Sequence, residues 1–151
     1  MVRKAGPNDL DAVAALMAGF RDWMGRAGPS GESIRATVSV LLEDPEAEYL
    51  LAYDDDGLAV GVCQLRYRLS VWTGVDDCWL EDLYVADGAQ RGGHGRALVE
   101  AALESARSRS CKRIELDVNE HNGPALALYQ ALGFSLEPKP PGRELFIGRP
   151  L

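Results

Sequence analysis

Apolar residues recur at helical spacing through Leu10, Val13, Leu16, Met17, Phe20 and Met24, with Asn8 and Asp9 before them as capping candidates. This predicts a first helix after a short leading strand. Residues 25–31 interrupt the pattern with glycines and Pro29, and a second helix is predicted over 32–43, stopped by Asp44 and Pro45. The period then changes. Residues 48–53 and 60–69 read as strands around the turn Asp54-Asp55-Asp56-Gly57, a hairpin pattern. Strict alternation in a third strand, 78–85, puts Trp79, Glu81, Leu83 and Val85 on one face and Leu80, Asp82 and Tyr84 on the other. A glycine-rich loop over 88–95 leads into a helix with the apolar stripe Leu98, Val99, Ala102, Leu103 and Ala106. Residues 113–118 predict another strand. Asn122 then opens a helix through Leu126, Tyr129 and Leu132, closed by Gly133, where a left-handed residue is common. Two short strands are expected to finish the chain, giving the order β-α-α-β-β-β-α-β-α-β-β. The fold class is α/β (α+β), a mixed sheet with helices on it.

The chain has 151 residues, enough for a single domain spanning 1–151. A formal charge of −7 is unevenly spread, with 13 acidic and 3 basic residues between positions 30 and 90. Duplex nucleic acid is a poor partner for such a surface, because its binding rests on Lys and Arg neutralising phosphates. A cationic substrate suits the acidic middle better. No apolar run approaches the ~18 residues that span a bilayer, and the start of the chain lacks the pattern of a secretion signal. Neither a membrane nor export is expected. Cys63, Cys78 and Cys111 are odd in number and widely spaced, which argues against a disulfide framework or structural zinc and for buried, inert thiols in a reducing cytoplasm. His94 and His121 are not spaced as a metal pair, so no metal is expected.

The loop Val85-Ala-Asp-Gly-Ala-Gln-Arg-Gly-Gly-His-Gly95 joins a strand to a helix. Such a junction points backbone N–H groups and the positive end of the helix dipole at one spot, a ready site for phosphate. A Walker A loop needs Gly-Lys-Ser/Thr, whereas Gly95 is followed by Arg96 and Ala97. A dinucleotide fingerprint would use Gly93 and Gly95 but meets Leu98 in place of its third glycine. A third pattern, Q/R-x-x-G-x-G/A, fits Gln90-Arg91-Gly92-Gly93-His94-Gly95. With it stand Trp79-Leu-Glu-Asp-Leu-Tyr-Val85 before the loop, and Asn119, Asn122, Ala127-Leu-Tyr129 and Gly133-Phe134 after it. Together they resemble a GNAT N-acetyltransferase, and the Trp79–Val85 strand with Trp72-Thr73-Gly74 is most similar to the diamine or polyamine acetyltransferase branch. Asp87 departs from the proline many relatives carry, a change expected to loosen the loop.

The resemblance implies a GNAT-like, mostly antiparallel sheet flanked by helices, and acetyl-CoA as cosubstrate. It implies that Gln90, Arg91, Gly92, Gly93, His94, Gly95 and Arg96 grip the coenzyme pyrophosphate. Leu83, Tyr84 and Val85 would then meet the pantetheine arm and supply N–H donors to the thioester oxygen, where negative charge builds during attack. Asn122 would bond pantetheine or cap its helix, and Tyr129 would serve the departing thiolate as acid or hydrogen-bond donor. An alkyl amine with pKa ~10.4 is almost wholly protonated at neutral pH, so a base is needed. Glu81 is placed in that role, directly or through water. The reading is direct transfer in a ternary complex to a primary amine of a small cationic acceptor, polyamine or lysine-like, by a cytoplasmic homodimer. Two alternatives stand beside it, a non-catalytic acyl-CoA-binding sensor and an acetyltransferase acting on a protein or peptide amine.

Overall fold

The helical spacing beginning at Leu10 becomes α1, Leu10–Trp23, which buries Val13, Ala14 and Leu16. Asp9 does not cap it with its side chain. That carboxylate instead accepts from the Arg3 guanidinium at 2.8 and 2.6 Å and from the Gly6 N–H at 2.9 Å, and the Arg3 bonds hold it down at about 2. The second helix, α2 (Gly31–Glu43), has a cap absent from the sequence reading: the Ser30 hydroxyl accepts from the Ser33 N–H. In the turn after the first long strand, the Asp54 carboxylate accepts from the N–H groups of Asp56 and Leu58.

The computed structural model describes residues 1–137 and 147–150. They divide into two compact units, one of residues 1–117 and one that begins at residue 118. In the first, β1 (Val2–Lys4), β2 (Ala47–Tyr53), β3 (Ala59–Leu69), β4 (Asp76–Val85) and β5 (Ile114–Glu115) form one sheet in the order β1-β2-β3-β4-β5. The first four strands pair antiparallel and β5 joins β4 in parallel. This is the mixed, mostly antiparallel sheet the sequence predicts. Helices cover both faces, so β2 and β3 are buried along nearly their whole length. On one face Tyr49, Leu51 and Val62 pack with Val13, Leu16, Ile34 and Val38 of α1 and α2. On the other lies α3 (His94–Ser108), burying Leu98, Val99 and Ala102 completely. There the Ser105 hydroxyl donates to buried Glu48 at 2.5 Å and Lys4 pairs with the same carboxylate at 3.0 Å. None of the described helices is long and apolar enough to cross a membrane.

The second unit contains α4, Gly123–Ala131. The Asn122 side chain caps it by accepting from the Ala125 N–H at 3.3 Å, and Gly133 closes it at φ +86°. Phe134 N–H donates to the Tyr129 carbonyl and Gly133 N–H to that of Gln130, as a left-handed helix end requires. The nine elements through α4 follow the expected order. The two closing strands fall mostly on residues 138–146, outside the described residues.

Two local expectations change. The strand foreseen over 113–118 is reduced to Ile114–Glu115, paired with Cys78 and Trp79. The strict alternation along β4 also fails. Gln64 of β3 faces Asp82 while its neighbour Leu65 faces Leu80, so Glu81 is an extra residue, a β-bulge. Opposed residues share a face, so Trp79, Asp82 and Tyr84 turn toward α1 and α2, and Cys78, Leu80, Leu83 and Val85 toward α3. Glu81 is left exposed at the bulge.

Leu51 has no exposed surface. Leu51→Ala is expected to lower the unfolding free energy by about 2–5 kcal/mol, read from urea denaturation; a loss under ~1 kcal/mol would contradict the assigned core.

Candidate active site

The loop between β4 and α3 begins with a single 3-10 turn, Asp87–Ala89. The Gln90 amide ties it down, donating to the Val85 carbonyl at 3.3 Å and to the Asp87 carboxylate at 3.1 Å. Asp87 thus holds the loop, where a looser one was expected. Arg91 follows at φ +64° and Gly93 at φ +82°. Gly93 is the residue before the first turn of α3 and gives it no side-chain cap. The first N–H in this stretch to find a helical carbonyl is that of Ala97, bonded to Gly93 at 3.0 Å. The amides of His94, Gly95 and Arg96 therefore stand at the positive end of a fifteen-residue helix.

Two glycines keep this corner open in different ways. A Cβ on Gly92 would lie 3.1 Å from the His94 ring and 3.3 Å from the Ala89 carbonyl. A Cβ on Gly93 would meet nothing within 4 Å, so the backbone there can be approached from outside. The first turn of α3 has no acidic residue, and Arg96 leans along the helix to Glu100 at 3.3 Å. These features fit a pyrophosphate, the group the loop motif implies.

Among the described residues, no strand pairs with one edge of β4 beside this loop. Ala86 N–H donates to Val60 of β3, while Cys78 N–H donates the other way, to Arg113 ahead of β5. Backbone direction alternates along a strand, and the bulge shifts the alternation by one. The N–H groups of Leu83 and Val85 consequently point away from β3. Since β5 pairs only with Cys78 and Trp79, those two amides lie beyond its reach. Tyr84 differs from its neighbours. Its side chain stacks on Phe20 of α1, ring centroids 5.5 Å apart, and a Cβ on Gly19 would lie 3.2 Å from its hydroxyl.

On the same face of β4 as Tyr84, the bulge sends Asp82 into a cavity of about 240 Å³ between α1, α2 and the sheet. Its register aligns Tyr49, Gln64 and Asp82 as one row across three strands. The Tyr49 hydroxyl donates to the Gln64 side-chain oxygen at 3.1 Å. Phe20, Met24, Val38 and Leu41 supply apolar walls, with Arg21 and Arg26 also lining the space. Burial pushes the Asp82 carboxyl up to about 6; adjacent Glu81 adds to the rise, Arg26 opposes it, and Asp117 adds a further push. Burial likewise raises the Tyr49 phenol. The sequence reading missed this row. Only partner-strand register reveals which way Asp82 turns.

Among the remaining expected residues, Asn122 and Tyr129 lie in the second unit. Asn122 performs the capping half of its expected role. Tyr129 is buried, its ring 5.5 Å from that of Phe134. Cys63 and Cys78 are buried free thiols, and burial drives both upward, Cys78 to about 12, which suppresses the reactive thiolate. Arg113 pairs with buried Asp77 at 2.7 Å.

A profile of the acetyltransferase (GNAT) family matches residues 16–134. The chain belongs to the GNAT family. It is 31% identical over 136 residues to an aminoglycoside N(6')-acetyltransferase type 1 of Stenotrophomonas maltophilia, covering 88% of this chain and 84% of that protein. It is 29% identical over 143 residues to the thialysine N-epsilon-acetyltransferase of Bos taurus, covering 88% and 82%. Mycothiol acetyltransferase of Beutenbergia cavernae is 35% identical over 107 residues, 69% of this chain, but the match spans only 33% of that longer protein. Among solved structures, an aminoglycoside acetyltransferase, HMB0005, from an uncultured soil metagenomic sample superposes with a TM-score of 0.78 at 25% identity, covering 100% of this chain and 97% of that one. Family and relatives mark this GNAT protein as an N-acetyltransferase.

Asp82 carries a stability consequence with a defined sign. Its folded-state carboxyl lies above the ordinary 3.8, so folding stability is full below that value and falls as pH rises through about 6. Asp82→Asn removes the charge being penalised. The variant should melt higher than the parent at pH 7.5 and at the same temperature at pH 3.5, by differential scanning calorimetry; a lower melting point at pH 7.5 would contradict the burial argument.

Proposed function

We infer that the protein moves the acetyl group of acetyl-CoA to a primary amine of a small cationic acceptor, polyamine or lysine-like, with both substrates bound together. The observation that carries this reading is the pairing of features on the two sides of β4. An open strand edge and a glycine-lined helix start lie toward one substrate, and an acidic, partly apolar cavity toward the other.

In this reading the amides at positions 92–96 hold the coenzyme pyrophosphate, with Gln90 and Asp87 fixing the loop and Arg91 and Arg96 adding charge. The N–H groups of Leu83 and Val85 hold the pantetheine arm and the thioester oxygen, stabilising the charge that develops there. Asn122 adds a polar contact to the same arm. Tyr129 hydrogen-bonds or protonates the leaving sulfur; a phenol at ~10 is a weaker acid than a thiol at ~8.5, so hydrogen bonding is the larger part of its service. Glu81, exposed beside the site, collects the acceptor's proton through water. Kinship with the family further leads us to a cytoplasmic homodimer as the working state.

Acetyl-CoA or CoA should raise the melting temperature, by an amount equivalent to about 2.7 kcal/mol at a hundredfold excess over Kd, while NAD leaves it unchanged. Stabilisation by NAD alone would overturn the coenzyme assignment. Binding of CoA without release of thiol across a screen of primary amines would favour a sensor over an enzyme. Tyr129→Phe should lower kcat at least tenfold and change CoA affinity less than threefold. An unchanged kcat would remove Tyr129 from the chemistry.

A further inference from the structure

Gly61 lies inside β3 and is buried, with a valine on either side of it in the strand. A glycine in a strand interior weakens the strand and often marks the close approach of another element. Its φ lies outside the left-handed region, so backbone conformation does not call for glycine here. The surroundings do. A Cβ at this position would lie 3.0 Å from Cδ1 of Leu98, 3.3 Å from the Tyr84 carbonyl oxygen and 3.3 Å from Cγ2 of Val85. Carbon atoms pack best at ~3.5–4.0 Å. Leu98 has no exposed surface into which it could retreat.

These three atoms belong to the two elements that hold the coenzyme in the acetyl-CoA reading. Leu98 is one turn inside α3, the helix whose first amides, those of His94, Gly95 and Arg96, take the pyrophosphate. Tyr84 and Val85 form the end of β4, where the Leu83 and Val85 amides take the pantetheine arm. Register sets Gly61 directly across from Val85, and the neighbouring Val60 carbonyl accepts from the Ala86 N–H at 2.9 Å. β3 is thus tied to β4 right up to the loop. Without a side chain at Gly61, the first turn of α3 sinks against that strand end.

We propose that Gly61 is a positioning residue for the coenzyme. It touches no ligand; through Leu98 and Val85 it sets the gap between the amides for the diphosphate and the amides for the arm. This rests on the acetyl-CoA reading above and extends it to a residue outside both binding elements. Coenzyme A joins diphosphate and arm covalently, so both sets of amides must be met at one separation. Two linked groups gain over the separate pieces only when the linker matches the span between their sites. A side chain at Gly61 pushes on Leu98, Tyr84 and Val85 together and drives the helix start from the strand end. Each set of amides keeps its own shape, held by the Ala97–Gly93 hydrogen bond in α3 and by the β3–β4 ladder. The loss falls on the whole coenzyme and spares its pieces.

The test is amide chemical-shift titration of the full chain, below the melting temperature of each variant, with CoA, ADP and pantetheine as probes. ADP carries a diphosphate without the arm, and pantetheine carries the arm without a diphosphate. Gly61→Ala should bind CoA about tenfold more weakly than the parent and each fragment within about twofold. Leu98→Val shortens the side chain that meets the new Cβ, so Gly61→Ala/Leu98→Val should return CoA affinity to within about threefold of the parent. Leu98→Phe crowds the same hollow from the helix side and should repeat the Gly61→Ala pattern, which supplies the test if Gly61→Ala does not fold. CoA affinity unchanged in folded Gly61→Ala or Leu98→Phe would overturn the positioning role and leave the coenzyme reading intact. Equal weakening of CoA and both fragments, the mark of general loosening, would do the same, as would a double variant that binds CoA no tighter than Gly61→Ala. A parent that binds none of the three probes would overturn the coenzyme reading and this role with it.

Discussion

One extra residue in β4 sets the geometry on which the site depends. With Glu81 in the ladder as an ordinary member, Asp82 would share the face of Leu80 and point at α3, and the open amides of the strand end would be those of its neighbours. The bulge reverses both. Asp82 joins Tyr49 and Gln64 beneath α1 and α2, while Leu83 and Val85 present N–H groups on the edge that β5 leaves uncovered. A bulge breaks ladder pairing locally and re-aims the side chains beyond it. In the proposed reading it divides one strand into an edge for a thioester arm and a face for an amine.

The surroundings fit that division. β5 ends after Glu115, so among the described residues the edge beyond Trp79 has no strand partner. The loop after β4 turns through a left-handed Gly93 into α3, whose first amides are free of side-chain caps. Both features leave backbone donors without a partner among the described residues, a cost that a ligand can offset. The acidic cavity carries a similar cost in a different form, a carboxylate lifted to about 6 by burial. Strain and desolvation thus gather where substrates are expected, while Leu51, Val62, Leu98 and Val99 pack without exposed surface elsewhere in the sheet.

Much of this was legible in the chain. Helical spacing from Leu10 to Met24, the Asp54–Gly57 turn and the left-handed Gly133 gave elements that the structure bears out, because each depends on local chemistry. The loop from Gln90 to Gly95 was legible for the same reason. What escaped depends on partners distant in sequence. The run Leu80-Glu81-Asp82-Leu83 reads equally well with or without a bulge, and only the register against Gln64 and Leu65 decides it. Asp9 had the composition of a cap but was drawn to Arg3, whose bidentate hold outweighs one helix N–H. Tyr129 was singled out by its place in a motif; its burial is what a core tyrosine on a helix would also have.

The division of β4 is tested most directly by mapping backbone amide shifts while CoA and n-pentylamine are added in turn. The account predicts two separate footprints, Leu83, Val85 and positions 92–96 for CoA, and Tyr49, Gln64 and Asp82 for the amine. A single shared footprint, or CoA shifts confined to the Asp82 row, would contradict it.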